Sequence, residues 1–204
     1  MPEERPMARF QVEERLAQLL SHLGLNQAHF VARLDTDWTG LVVHHPELIT
    51  SLTLICPGSM DATALHPLGS RLLVVNDDQP TGAQVTQAME QLPDATLVTL
   101  SDYAGYGWAD IAADRPNEID SALLAFVSQI EEGQSADRAA TLPQGTGEFA
   151  DITYHVRGSG PPLVLLPLRL APSQWDPLLP VLSARYCTIT LSGASVGTIA
   201  MLEA

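Results

Sequence analysis

Basic side chains are scarce in this chain. Ten Lys and Arg face 24 Asp and Glu, giving a formal charge of −14 over 204 residues. Nucleic acids and anionic membranes reward cationic surfaces, so both are excluded as partners. The acidity itself serves solubility, or else lines a site for a cationic ligand. Cysteine is nearly absent: Cys56 and Cys187 each sit in or beside an apolar run. Two such thiols exclude a disulfide scaffold and suit a reducing compartment. No apolar run approaches the ~18 residues of a membrane span. The opening Met1-Pro2-Glu3-Glu4-Arg5-Pro6 lacks the basic-then-apolar layout of a signal peptide. The expectation is a cytoplasmic protein.

The chemistry of sites is thin as well. There is no His between His66 and His155, and no spacing of His, Cys and carboxylates suits a zinc site. His22 and His29 fall on different elements, and His44-His45 reads as the end of a helix before Pro46. The glycine-rich turns lack a phosphate-loop Lys and a dinucleotide fingerprint. No metal and no cofactor are expected.

What remains has a globular balance, with 46% apolar and 17% charged residues in a length that suits one domain or two small ones. Phe10, Val12, Leu16, Leu19, Leu20 and Leu23 fall at helical spacing, stopped by Gly24. Strand-like runs follow at residues 28–32, 52–56, 71–75 and 95–100, with a brief helix over 38–44 and a helical face at Val85, Ala88, Met89 and Leu92. Pro116 opens a helix carrying Ile119, Leu123, Phe126, Val127 and Ile130. Residues 131–147 have linker composition. The pattern then restarts: an edge-like strand over 152–157, a buried strand over 162–166, a Pro-interrupted helix over 174–183 and a strand over 186–191. Alternation at this spacing predicts an α/β fold, a mostly parallel sheet with helices on both faces.

These segments resemble the α/β-hydrolase superfamily in swapped order. Residues 1–130 resemble the C-terminal half of such a core, through His29-Phe30-Val31, Ser51-Leu52-Thr53-Leu54-Ile55, Arg71 to Val75 with Asn76-Asp77-Asp78, and Asp114-Arg115-Pro116-Asn117. Residues 148–204 resemble its opening, through Tyr154-His155-Val156-Arg157-Gly158-Ser159-Gly160-Pro161-Pro162 and Trp175-Asp176-Pro177. This part is also similar to the hydrolase-like portion of fusions with S-adenosylmethionine methyltransferases, although no methyltransferase is visible. The resemblance implies a circularly permuted core closed within one chain, or a domain-swapped one whose sheet is completed between two molecules. A linker of roughly 17 residues at ~3.3 Å each reaches ~55 Å, which is enough to cross eight strands.

The resemblance also implies where catalysis would sit, and most positions are emptied. A nucleophile needs a sharp strand-to-helix turn flanked by glycines. Here the turn reads Ala32-Arg33-Leu34-Asp35-Thr36-Asp37-Trp38, with Leu34 in the nucleophile position and Asp35 or Asp37 as the carboxylate alternatives. Asp77 and Asp78 match the acid. The base position falls in Asp102-Tyr103-Ala104-Gly105-Tyr106-Gly107-Trp108, where Trp108 stands in place of an imidazole and its indole cannot relay a proton. Pro167 removes a backbone donor from the oxyanion segment. Gly193-Ala194-Ser195-Val196-Gly197 spells the G-x-S-x-G elbow after a strand, which makes Ser195 a candidate nucleophile, with a plain glycine turn as the alternative.

The expected function is therefore a non-catalytic interaction, dimerisation or ligand-binding module. Its partners would be a second copy, a partner domain or a small apolar ligand held by Tyr103, Tyr106 and Trp108. The alternative is a small esterase-like serine hydrolase using Ser195.

Overall fold

The helical spacing of Leu16, Leu19 and Leu20 puts all three on the buried face of α1, Val12–His22. The computed structural model describes residues 12–33, 39–106, 109–132, 139–168 and 170–193. Gly24 ends α1 in the left-handed region at φ 70°, which lets the Leu25 N–H return to the Leu20 carbonyl at 2.8 Å. The first segment continues through β1 (Ala28–Ala32), α2 (Thr39–His44), β2 (Ile49–Ile55), α3 (Ala62–Leu65), β3 (Leu72–Asp77), α4 (Ala83–Met89), β4 (Thr96–Leu100), α5 (Ile111–Asp114) and α6 (Pro116–Glu132). The second segment supplies β5 (Gly145–Phe149), β6 (Ile152–Arg157), β7 (Pro162–Leu165), α7 (Leu179–Leu182) and β8 (Cys187–Ser192).

All eight strands join one sheet in the order β4-β3-β2-β1-β7-β8-β6-β5. Neighbours from β4 through to β8 pair in parallel, while β6 runs against both β8 and β5. The two segments meet within the chain where β1 pairs with β7, through His29 with Leu163, Phe30 with Val164 and Val31 with Leu165.

Strand residues alternate between two cores, as the pleat requires. Phe30, Leu54, Val74 and Val164 pack with α1, α2 and α4 on one face. Val31, Ile55, Val75 and Leu165 pack on the other face with Ile119, Leu123, Phe126 and Val127 of α6 and Leu179 and Leu182 of α7. The expected mostly parallel α/β sheet with both faces covered is therefore present. Among the described residues no helix is long and apolar enough to cross a membrane.

Several elements differ from the sequence reading. β2 begins at Ile49, because Ile49, Thr50 and Ser51 are buried although two of them are polar. The polar stretch after Cys56 hides α3, whose N-cap Asp61 accepts hydrogen bonds from the Thr63 and Ala64 N–H groups at 3.0 and 3.1 Å. The helix expected over 174–183 breaks into a 3-10 turn at Pro172–Trp175 and α7, as its prolines demand. Residues 131–147 give Glu131 and Glu132 to α6 and their last three residues to β5. β6 is therefore not the edge strand. Gly147 of β5 lies under the Tyr154 ring, so a cross-strand aromatic supplies the cover that the glycine lacks.

Candidate functional site

The carboxyl ends of β1, β2 and β3 bring together three buried polar or reactive groups: Arg33, Cys56 and Asp77. In an open α/β sheet this edge is where ligands bind, so each group's partners decide what the site can do. Asp77 is the last residue of β3. One carboxylate oxygen, Oδ1, accepts the Gln79 N–H at 3.1 Å and the Thr81 hydroxyl at 3.0 Å. The other, Oδ2, accepts the Gly105 N–H at 3.1 Å. Both oxygens thus anchor backbone and loop, one of them across to the segment that follows β4.

Arg33, directly after β1, completes the same arrangement from the opposite side. Its Nη2 donates to the Gly105 carbonyl and to the Tyr106 carbonyl, the latter at 3.1 Å. Gly105 is consequently held at both its N–H and its C=O. Its Cα approaches so closely that an added Cβ would lie 2.8 Å from Asp77 Oδ2 and 2.8 Å from both Cβ and Sγ of Cys56. Cys56 itself has a left-handed backbone at φ 40°, a strained conformation for a residue with a side chain. Burial first, and the nearby Asp77 charge second, push its thiol up to about 12. Such a thiol is protonated at neutral pH and is a poor nucleophile.

Asp78 points outward. Its Oδ2 accepts the Asp102 N–H at 3.0 Å and its Oδ1 accepts from Gln79 Nε2 at 2.9 Å, and these bonds hold its carboxyl below the usual range. Tyr103 is half-buried, donates its hydroxyl to Asp114 Oδ2 at 2.9 Å, and lies under the Arg115 guanidinium at 5.3 Å from the ring centroid. Burial and that carboxylate raise its phenol. Tyr106 is 45% exposed. Of the three proposed cleft aromatics, Tyr103 is therefore fixed by the adjoining helix and Tyr106 faces solvent. Trp108 lies outside the described residues, as do Leu34, Asp35, Asp37 and Ser195. On the far side of this edge, Gln174 accepts the Leu170 N–H at 3.1 Å and donates to Asp110 Oδ1 at 3.3 Å.

A different constellation stands at the opposite edge, where β1 and β2 begin. His29 is buried on β1; its Nδ1 lies 2.7 Å from the Ser51 hydroxyl on β2, and its Nε2 lies 3.0 Å from Glu131 Oε1 near the end of α6. Serine, imidazole and carboxylate in a line have the composition of a triad, but Ser51 is 0% exposed and cannot reach a substrate. Beside them opens a cavity of about 270 Å³, lined by Asn26, Gln27, His29, Thr50 and Glu131 among others. Sequence reading set His29 aside because it falls on a different element from His22 and no spacing suits a metal; its partners here lie 22 and 102 residues away. Its place in an otherwise apolar run was the one available signal, since a buried imidazole needs partners.

His155 bonds Thr146 on the neighbouring strand at 2.8 Å. Among the described residues no group of three or more His, Cys, Asp or Glu is placed to hold a metal ion. In comparisons with protein-family models, curated proteins and solved structures, none matches the chain.

Proposed function

We propose that this chain is a non-catalytic α/β-hydrolase-like module, with the halves of the core in exchanged order, that serves to hold a ligand or a partner. The sheet order supports the exchange. Read from β1, the chain starts mid-sheet, winds to the β4 edge and reappears at the far edge as β5. Read from β5 onward, the strands fill successive places with a single local swap, β8 before β7. The second order is the simpler winding, since consecutive elements usually lie side by side.

The observation that carries the non-catalytic reading is the bonding of Asp77. In a hydrolase the acid must orient an imidazole, and an imidazole must take a proton from the nucleophile. Here both carboxylate oxygens of Asp77 brace the Gln79, Thr81 and Gly105 groups, and Arg33 fastens the same loop at its carbonyls. The loop where a base would move is tied on both sides. For a partner, β4 offers an open edge of Thr96-Leu97-Val98-Thr99-Leu100, uncharged and with Leu97 partly exposed.

The test is turnover of short acyl esters together with labelling by a fluorophosphonate probe. Hydrolysis at the buffer rate and no label on folded protein are expected. Turnover lost in Ser195→Ala, or a probe adduct on Ser195, rejects the reading in favour of a serine hydrolase.

A further inference from the structure

We propose that the outer edge of β4 takes up an extended segment of another protein as an added strand, one with an uncharged, β-branched centre and Lys or Arg at both ends. The inference rests on reading the chain as a partner-holding module, and it names the chemistry of the partner.

β4 closes one side of the sheet. It pairs with β3 in an unbroken register from Leu73 with Thr96 to Asp77 with Leu100 and, among the described residues, has no strand beyond it. An edge strand presents a row of main-chain N–H and C=O groups to the outside, and proteins ordinarily guard it with Lys, Pro, a bulge or an inward charge. Thr96-Leu97-Val98-Thr99-Leu100 has none of these, and the chain contains no lysine at all. The opposite edge is guarded: β5 carries Gly145, Gly147 and Glu148, which leave little for a partner to pack on. β4 instead offers apolar side chains on both faces of the pleat, with Leu97 37% exposed on one and Val98 half-buried beside the α6 core on the other. In strand addition the main-chain bonds supply affinity and alternate side chains supply selection.

The charge around the edge selects the partner. From Leu72 to Asp114 the sequence has no Lys, Arg or His. Exposed Glu90 and Asp94 precede β4 and exposed Asp102 follows it, so both ends of an uncharged strand are anionic. Arg115 reaches this end from the start of α6, but its guanidinium is held by the Ser101 and Asp102 carbonyls at 3.2 and 3.1 Å, and Glu118 Oε1 at 3.1 Å offsets its charge. A second copy fits badly. In the antiparallel pairing that a two-fold axis centred on Val98 generates, Asp94 of each copy stands opposite Asp102 of the other, and both chains carry −14. A segment with cations at both ends meets these carboxylates in either strand direction.

Binding of a fluorescein-labelled peptide, Lys-Lys-Thr-Val-Thr-Val-Thr-Lys-Lys-amide, to the full chain tests the inference, read by anisotropy at low salt together with amide hydrogen exchange. Saturable binding with slowed exchange in residues 96–100 is expected. N-methylation of the central peptide amides, which keeps every charge, abolishes it. Asp94→Asn combined with Asp102→Asn weakens binding ~5-fold or more at low salt, the scale of two exposed ion pairs, and the difference closes as salt rises. Both sites are exposed, and Asn tolerates the left-handed backbone of Asp102 at φ 54°, so the double variant keeps the fold. Leu97→Lys, which adds the missing guard to the edge, weakens binding as well. No saturable binding, protection away from β4, equal binding of the N-methylated peptide, or unchanged affinity in the double variant overturns the proposal. A dimer of the free chain with residues 96–100 already protected overturns it in favour of a second copy. A chain inert toward esters that refuses the peptide sinks this inference alone, whereas ester turnover sinks the reading beneath it.

Discussion

At the scale of single residues, the packing around Gly105 is the tightest constraint at the carboxyl edge. The glycine is needed there for close approach and not for an unusual φ, since its Cα rests between Asp77 and Cys56. Cys56 cannot retreat, because its own Cβ is one of the atoms in the way and its backbone already holds a positive φ. Gly105→Ala therefore pushes the loop off both Asp77 and the Arg33 guanidinium. We expect a loss of about 1–3 kcal/mol, the usual cost of overpacking, read as a lower urea midpoint with an unchanged slope. The same variant exposes the thiol: Cys56 in the native chain resists a disulfide reagent at pH 7, and Gly105→Ala accelerates its modification. A stability equal to that of the parent would show that the loop is not clamped as described.

At the scale of elements, α6 carries a carboxylate in an unfavourable setting. Asp120 has Oδ1 buried without a hydrogen-bond partner among the described residues, and burial raises its carboxyl from 3.8 to about 6. The folded state thus binds a proton more tightly than the unfolded chain does. Its contribution to stability is complete below pH 3.8 and declines as pH rises through about 6. Asp120→Asn is expected to raise the melting temperature at about pH 8, with the advantage shrinking to nothing as pH falls to about 3.8. A constant difference across that range would mean that the carboxyl is solvated in the fold.

The elements also show what was legible beforehand and what was not. Strands built mainly of apolar runs, such as β1, β3 and β7, were readable because burial on both faces leaves a nearly continuous signal. The face of α6 was readable from its helical spacing. β5 was not, since two of its five residues are glycine and the ring that covers Gly147 comes from the next strand. At the site, Asp77 was found by its place at the end of the strand-like run that became β3, but its partners Gln79, Thr81 and Gly105 make it a brace. Arg33 and the pairing of His29 with Glu131 escaped notice for one reason. Each depends on contacts between distant parts of the chain, and composition and periodicity report only on near neighbours.

At the scale of the whole molecule, the exchanged order of halves makes a prediction about connectivity. α6 ends with Glu131 bonded to His29 of β1, and the described chain resumes at Ala139. Ala140 N–H donates to the Gly160 carbonyl at 2.9 Å just before β7, and Gln144 Nε2 donates to the Gly158 carbonyl at 2.7 Å just before β5 begins. Among the described residues this stretch contributes a short bridge, Ala140 with Gly160, to the pairing. The two ends of the described chain meet elsewhere, at Asp151. Arg15 of α1 lies 3.7 Å from the Asp151 carboxylate, and Gly193 after β8 packs against the Asp151 carbonyl. Joining Ala204 to Met1 and opening the chain between Ser135 and Ala136 would restore the simpler winding and leave every strand pair among the described residues in place. Such a permutant is expected to melt cooperatively, to keep the parent's circular dichroism and to run at the monomer mass of 21.9 kDa. An unfolded product would mean that the connection from α6 to β5 itself holds β1 to β7. A dimer in the parent that becomes a monomer when the halves are joined in the permuted order would instead place that seam between two molecules.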